Sequence, residues 1–590
     1  MKRILYPIII LFFFIACKQK TAFSGDNLNN ELVSVANLQI QQYYKDVKNE
    51  KQVVKVVYFH GNDVEPAPNL KERLSRVLNV VSDYYGEAFH KFDVEIDGVP
   101  FEKKGENYVI HTVEGDKPSQ SYGIKSGYAI EQELIQKTAG SIDFSKDHVL
   151  IINGLWYRKN NGTYVFHSPY HGKGNRMNGV CHVADCELLD PKYLTDTIST
   201  MVFSEMFVKR KECLVAEFNS WYIGGIVHEM GHLFGLPHDF GNPAELDDAH
   251  LSMMGQYGSR HFRDYLWKGK VSSIFSSASI MQLISHPIFT QQSKFTKSDL
   301  GFFVENIQYR KNECEKMIVA LDFEASERPY AAVALIRKTN ATDYYNRSYV
   351  SLVQSIDSLT VELDDFEKGN YHMRFLFLFP EGNVREISKN IQVGEHSINE
   401  TDATGIDLKD FYEKVKKLKA PKPVIDQALE VVQEALDPHE PVDIDTCTGQ
   451  KLYLSDTKWD KAYVGWGKVA RNYFSLESEN GFFLMLKGKL FSKGLYAHSN
   501  SVYQFSLNGE WKQFSATVGI RDQAHIQGSA IFTVIGDGKV LYESPMLRVN
   551  QSHEINIEIS GVSTLQLRAK GGEGHNHNSW AIWVDPVIER

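Results

Sequence analysis

The stretch GGIVHEMGHLFGLPHD, Gly224 to Asp239, decides how the rest of the chain is read. His228 and His232 are four residues apart, so on a helix they lie one above the other on one face and can direct imidazole nitrogens at a single ion. Glu229 sits beside that face, where a carboxylate can take a proton from a metal-bound water and return it to a leaving amine. Gly235 stands where the chain must leave the helix sharply, and glycine accepts the left-handed conformation this requires. Pro237 prevents the helix from continuing, so His238 can swing back as a third ligand. Three protein ligands with one position left for water is the donor set of a catalytic Zn²⁺ site.

The full pattern HExxHxxGxxH resembles that of the metzincin clan of zinc endopeptidases, in which a methionine-containing turn follows beneath the metal. Leu251-Ser-Met-Met-Gly255 is similar to that turn, with Met254 as its methionine and Met253 as the alternative. Asp239 is similar to the His-Asp ending of the adamalysin-like branch. Some metzincins carry a Tyr two residues after the turn methionine, whereas here Tyr257 stands three past Met254. The resemblance implies an α+β catalytic domain, one Zn²⁺ held by His228, His232 and His238, and Glu229 as catalytic residue.

The chain begins with Met-Lys-Arg, an apolar run from Ile4 to Ile15, and Ala16-Cys17. A basic start and a short apolar stretch read as a secretory signal at residues 1–16, too short to span a bilayer. Cys17 after Phe14-Ile15-Ala16 resembles a bacterial lipobox, which implies lipid attachment to Cys17 and a polar tether at 17–51. The expected location is therefore the bacterial cell envelope, held by a lipid anchor. Cys181, Cys186, Cys213, Cys314 and Cys447 remain, an odd and scattered set that forms no disulfide framework or zinc pattern. Net charge is −10 with 23% charged residues and no basic run, which argues against a nucleic-acid partner.

Alternating and helical apolar patterns place strands at 53–60, 92–96, 108–113 and 148–156, with helices at 69–89 and 129–138. A catalytic domain over 52–310 follows, with Asn219 or Ser220 as N-cap of the zinc helix. The metzincin resemblance implies an edge strand above the cleft that pairs with extended substrate, expected at 163–168. His250, His261 and His286 read as ordinary histidines, since three ligands are already assigned. Regularly spaced short strands over 313–396 indicate an immunoglobulin-like β-sandwich acting as a spacer. Residues 397–447, charged and punctuated by Pro421, Pro423, Pro438 and Pro441, read as a partly helical linker.

From 448 to 590 several segments resemble the NPCBM family of carbohydrate-binding modules: Leu452-Tyr-Leu-Ser-Asp-Thr-Lys-Trp459, Gly465-Trp-Gly467, Lys493-Gly-Leu-Tyr-Ala-His-Ser499 and Val518-Gly-Ile-Arg-Asp522. This resemblance implies a jelly-roll β-sandwich. Trp466, Tyr496 and Trp580 are its candidate sugar contacts, since aromatic faces stack on sugar rings. The family commonly has acidic residues before the last Trp, where this chain reads Asn576-His-Asn-Ser-Trp580. Together these features predict a lipid-anchored zinc endopeptidase acting on glycoproteins such as mucins. The competing expectation is a surface glycan-binding or adhesion protein with little or no peptidase activity, against which the intact Glu229 argues.

Overall fold

The computed structural model describes residues 25–590 except 48–49, 68, 139, 206–209, 244, 246–249, 267–271, 293–301, 313–315, 340–345, 365, 396, 401–407, 465–468, 475–480, 525–527 and 573–577. The signal segment and Cys17 lie outside the described residues. Among the described residues no helix is long and apolar enough to cross a membrane.

A five-stranded sheet organises the first part of the chain, in the order Ile110–Glu114, Val54–His60, His148–Asn153, Gly179–Ala184, His171–Gly174. The first four run parallel, and His171–Gly174 closes one edge antiparallel to Gly179–Ala184. The two-residue period of a strand divides its side chains between two cores. Val56, Tyr58, Leu150 and Ile152 pack with Leu74, Val77, Leu78 and Val81 of the helix Leu70–His90 and with Ile223, Ile226 and Val227 of the helix Val215–Leu233. Val57, Phe59, Val149 and Ile151 face Ile130 and Leu134 of the helix Gly127–Lys137. The sheet is therefore covered on both faces. Residues 92–96 are not a strand; the chain turns there instead, burying Phe92 and Val94.

The segment leading to the motif helix is pinned by charge. Arg73, 2% exposed, makes two 2.7 Å bonds to the Asp185 carboxylate and one of 2.8 Å to the Leu189 carbonyl. Arg76 pairs with Asp190 at 2.6 Å. The helix begins at Val215, one turn earlier than expected, with Leu214 in the cap position. Asn219 and Ser220 are buried inside it, and the Asn219 side chain caps the incoming segment instead, accepting from the Asp190 N–H at 2.8 Å.

Three other regions depart from the expectations. Residues expected in a free tether form the helix Gly25–Tyr43, whose Val33, Ala36 and Ile40 are buried in the main core. A polar composition hid the apolar spacing that docks it. Tyr164–Phe166, expected at an edge, lies inside a four-stranded sheet, between Trp156–Arg158 and Thr200–Ser204. The linker is an antiparallel pair of helices, Leu408–Lys416 and Lys422–Leu436, whose Phe411, Val415, Val431 and Val432 pack against Phe482 and Leu490 of the C-terminal region.

Two sheets, Phe303–Lys311 with Met317–Glu324 and Ser358–Leu363, and a second centred on Ala331–Lys338 and Gly369–Leu378, enclose one sandwich core. Its second sheet extends to the residues just after the motif helix, because Asp239–Gly241 pairs parallel with Asn346–Leu352. This sandwich is no spacer: Tyr330, Val333, Leu335 and Leu376 belong to the same buried cluster as the motif helix. A five- and a six-stranded sheet form the last sandwich, closed around Trp511, Phe514, Phe532 and Trp583.

Candidate metal centre

The motif helix ends at Leu233. Gly235 takes φ +87°, and Leu236 N–H donates back to Gly231 C=O at 2.9 Å, a left-handed helix terminus. That turn brings His238 under the helix. Its Nε2 lies 3.2 Å from His228 Nε2 and 3.0 Å from His232 Nε2.

The other ring nitrogens are engaged by backbone. His228 Nδ1 is 2.7 Å from the Met253 carbonyl, and His232 Nδ1 is 2.7 Å from the Leu236 carbonyl. A carbonyl only accepts, so each Nδ1 carries the hydrogen and each facing Nε2 presents a lone pair. Burial, followed by the neighbouring histidines, pushes His228 down to about 4 and His238 down to about 3, and burial lowers His232. All three rings are neutral at pH 7. Converging lone pairs repel one another without a cation between them, so the donor set fits Zn²⁺.

Beneath them Met253 and Met254 are fully buried, and Met254 Sδ lies where a Cβ on Gly231 would meet it at 2.5 Å. Met254 thus packs on the motif helix, while Met253 supplies the carbonyl that orients His228. Asp239 is fully buried and accepts from Gly241 N–H at 2.7 Å and from the hydroxyls of Ser279 at 3.1 Å, Ser276 at 3.3 Å and Ser348 at 3.3 Å. Asn346 Nδ2 donates to the His238 carbonyl at 3.1 Å. His238 and Asp239 are therefore held by the first sandwich, through Asn346 and Ser348, and by the short helix Ser277–Leu283 with its cap.

Glu229 faces the edge strand His171–Gly174. A Cβ at Gly172 would lie 1.9 Å from the Glu229 carbonyl oxygen, so glycine is what lets strand and helix touch. Burial pushes the Glu229 carboxyl up to about 7, opposed by a hydrogen bond from the Gly172 N–H. A cation held by the three histidines would draw it back down. Tyr170 was not singled out by sequence. Its hydroxyl stands where a Cβ on Gly225, one helical turn before Glu229, would meet it at 1.9 Å, and its phenol is pushed well up by burial and then by the Glu229 charge. Only its position next to the edge strand could have flagged it.

Toward the start of the motif helix, on the stripe that also carries His228 and His232, a pocket is lined by Lys211, Trp221, Tyr257, Arg260 and His261. Arg260 stacks 4.2 Å over the Trp221 ring, and half-exposed Tyr257 belongs to this pocket. His261 pairs with Asp264 at 2.6 Å, His286 is buried, and His250 begins a short strand. Cys181 and Cys186 are buried and free.

The candidate sugar contacts fare differently. Tyr496 is 2% exposed and packs edge-on to Phe474 at 4.4 Å, so its ring belongs to the core and offers no face to a sugar. Trp580 is half-buried, with Phe474 at 5.2 Å and the Arg521 guanidinium 5.7 Å away. Trp466 lies outside the described residues.

Comparison with known families bears on this last region. Residues 450–589 match the model described as the NPCBM/NEW2 domain. This segment is an NPCBM domain. A curated protein of Renibacterium salmoninarum named "Putative endo-alpha-N-acetylgalactosaminidase" is 31% identical over 137 residues, 22% of this chain and 9% of that protein, so the chain spans under a tenth of that relative's length. Among solved structures, OgpA from Akkermansia muciniphila is 18% identical, covering 60% of this chain and 96% of its own, with a TM-score of 0.49. The CBM51 module of Clostridium perfringens GH95, solved with methyl-galactose, is 23% identical over 23% of this chain and 99% of its own, with a TM-score of 0.22.

Proposed function

We propose that the protein is a metzincin-like, zinc-dependent endopeptidase that cuts glycoproteins, mucins among them, and is held to the bacterial cell envelope by a lipid on Cys17. The observation that carries the catalytic reading is the meeting of three imidazole Nε2 atoms at 3.0 and 3.2 Å beside the Glu229 carboxylate.

In this reading His228, His232 and His238 hold the metal, and Zn²⁺ supplies the Lewis acidity that acidifies water and polarises the scissile carbonyl. Glu229 takes the proton from water as its oxygen attacks the carbonyl carbon, then delivers that proton to the leaving amine nitrogen. Gly172 lets the edge strand lie against the Glu229 backbone, and Tyr170 packs on Gly225 one turn before it. His171–Gly174, rather than 163–168, is the edge on which an extended substrate can pair, since it ends the sheet next to Glu229. The NPCBM domain supplies glycan affinity and raises local substrate concentration by tethering, with Trp580 the remaining described candidate for sugar stacking.

The NPCBM match also favours a second reading, a surface glycan-binding protein without proteolysis. Digestion of native and deglycosylated mucin-type glycoprotein in parallel separates them, with chelator and Glu229→Ala controls. The peptidase reading expects cleavage that both controls abolish, and the deglycosylated lane tells whether sugar is part of recognition. Glycan retention without any cleavage would favour the adhesin.

A further inference from the structure

Directly across the sheet from Glu229 lies a second group of ligand-type side chains. Glu131 comes from the helix Gly127–Lys137, His171 from the edge strand, and His182 from the strand paired with it. His171 and His182 face each other in register, with ring centroids 5.0 Å apart. One nitrogen from each ring and one Glu131 oxygen lie within 4.8 Å of one another, and His182 Nε2 is 3.4 Å from Glu131 Oε1. Tetrahedral zinc with legs of ~2.0–2.1 Å sets its ligand atoms roughly 3.4 Å apart.

The space between them is kept open by the backbone. At Gly127 a Cβ would stand 2.9 Å from His171 Cε1, 3.5 Å from His171 Nε2 and 3.6 Å from His182 Nε2, filling the point on which the two rings converge. His182 is fully buried and its Nδ1 meets no partner, so Nε2 is its polar outlet. The nearest competing cation is Lys173, whose Nζ is 3.6 Å from Glu131 Oε1 but whose half-exposed side chain is free to swing into solvent. Burial, then His182, pushes His171 down to about 4, so this ring is a neutral donor at pH 7.

We infer that Glu131, His171 and His182 form a second divalent-metal site of the zinc class, structural in role, that clamps the edge strand to the helix behind it. Two imidazoles and one carboxylate are a donor set that Zn²⁺ accepts, with water completing the coordination. The consequence reaches the other face, because the clamped residue His171 adjoins Gly172, which packs directly against the Glu229 backbone. The clamp is a positioning device and takes no part in bond breaking. It stands whether or not the chain is a peptidase.

The test is equilibrium dialysis of the full chain against zinc, with bound metal counted by elemental analysis. Wild type should hold two zinc ions per chain, and His171→Gln, Glu131→Gln and the cradle-filling Gly127→Ala should each hold one. His228→Gln with His232→Gln should also leave one, and adding His171→Gln to that pair should leave none. Circular dichroism confirms that each variant counted is folded. In thermal melts, zinc added beyond the first equivalent should raise the midpoint of wild type and not that of Glu131→Gln. One zinc in wild type, or two retained in folded His171→Gln and Glu131→Gln, would overturn the inference.

Discussion

Two β-sandwiches follow the metal centre, built by the same alternation of buried and exposed side chains, and they relate to that centre in opposite ways. The first donates Asn346 Nδ2 to the His238 carbonyl and Ser348 Oγ to Asp239, accepts Asp239–Gly241 as a strand of its own sheet, and shares a core with the motif helix. The NPCBM domain meets the rest of the chain through the helical pair at 408–436 and through Tyr463, buried against the first sandwich. Position in the sequence does not distinguish spacer from structural partner; the hydrogen bonds do. The first sandwich shares one body with the motif helix, and the NPCBM domain is a module attached to it.

The largest effect that could break this contrast is at the seam. Asp239→Ala strands several buried donors at once and should destabilise the body around the motif helix by about 3–5 kcal/mol. Denaturant unfolding should show that body melting early and the module unchanged. Phe411→Ala, at the other junction, removes a buried aromatic and should cost about 3 kcal/mol in the packing of the helical pair. Cleavage of a short unglycosylated peptide should be untouched by it.

Acid should separate the two regions further. Burial pushes His148 down to about 4, and the buried His286 beside it is also lowered. In the unfolded chain His148 takes a proton near its ordinary value of 6.5, whereas the folded protein resists until about 4. Its stabilising contribution is therefore complete above pH 6.5 and is lost as pH falls from about 6.5 to about 4, a change of about 3 kcal/mol for this one group. Calorimetry across that window should show the melting temperature of the body around the motif helix falling more steeply than that of the module, and His148→Gln should flatten the difference. The smallest effect expected is from Asn346→Ala, about 1 kcal/mol in stability with a severalfold faster release of zinc to a chelator, against no change in release rate for Trp580→Ala.

How much of this was readable beforehand followed sequence distance. His228, Glu229, His232, Gly235 and His238 lie on eleven consecutive residues, so one helix and the turn at Gly235 suffice to bring the three histidines together. The NPCBM domain was legible through family resemblance. Glu131, His171 and His182 were not, because three elements must pack before their side chains meet. The docking of Gly25–Tyr43 was missed for a related reason: Val33, Ala36 and Ile40 are sparse apolar residues in a polar segment, and only the surface they cover gives their spacing meaning. Tyr496 was misread because an aromatic in a β-sandwich looks the same in sequence whether it faces solvent or core. Residues 163–168 lie inside a sheet and 171–174 at an edge, which the sequence hid because His-Gly-Lys-Gly carries no apolar alternation to mark it as a strand.

The most direct test of the central claim measures bound zinc and glycoprotein cleavage together in wild type and Glu229→Gln. The account predicts zinc retained at His228, His232 and His238 in both proteins, with cleavage lowered by roughly 10²–10⁴-fold in the variant. Cleavage that survives in Glu229→Gln, or that proceeds in wild type after chelation has stripped the zinc, would contradict it.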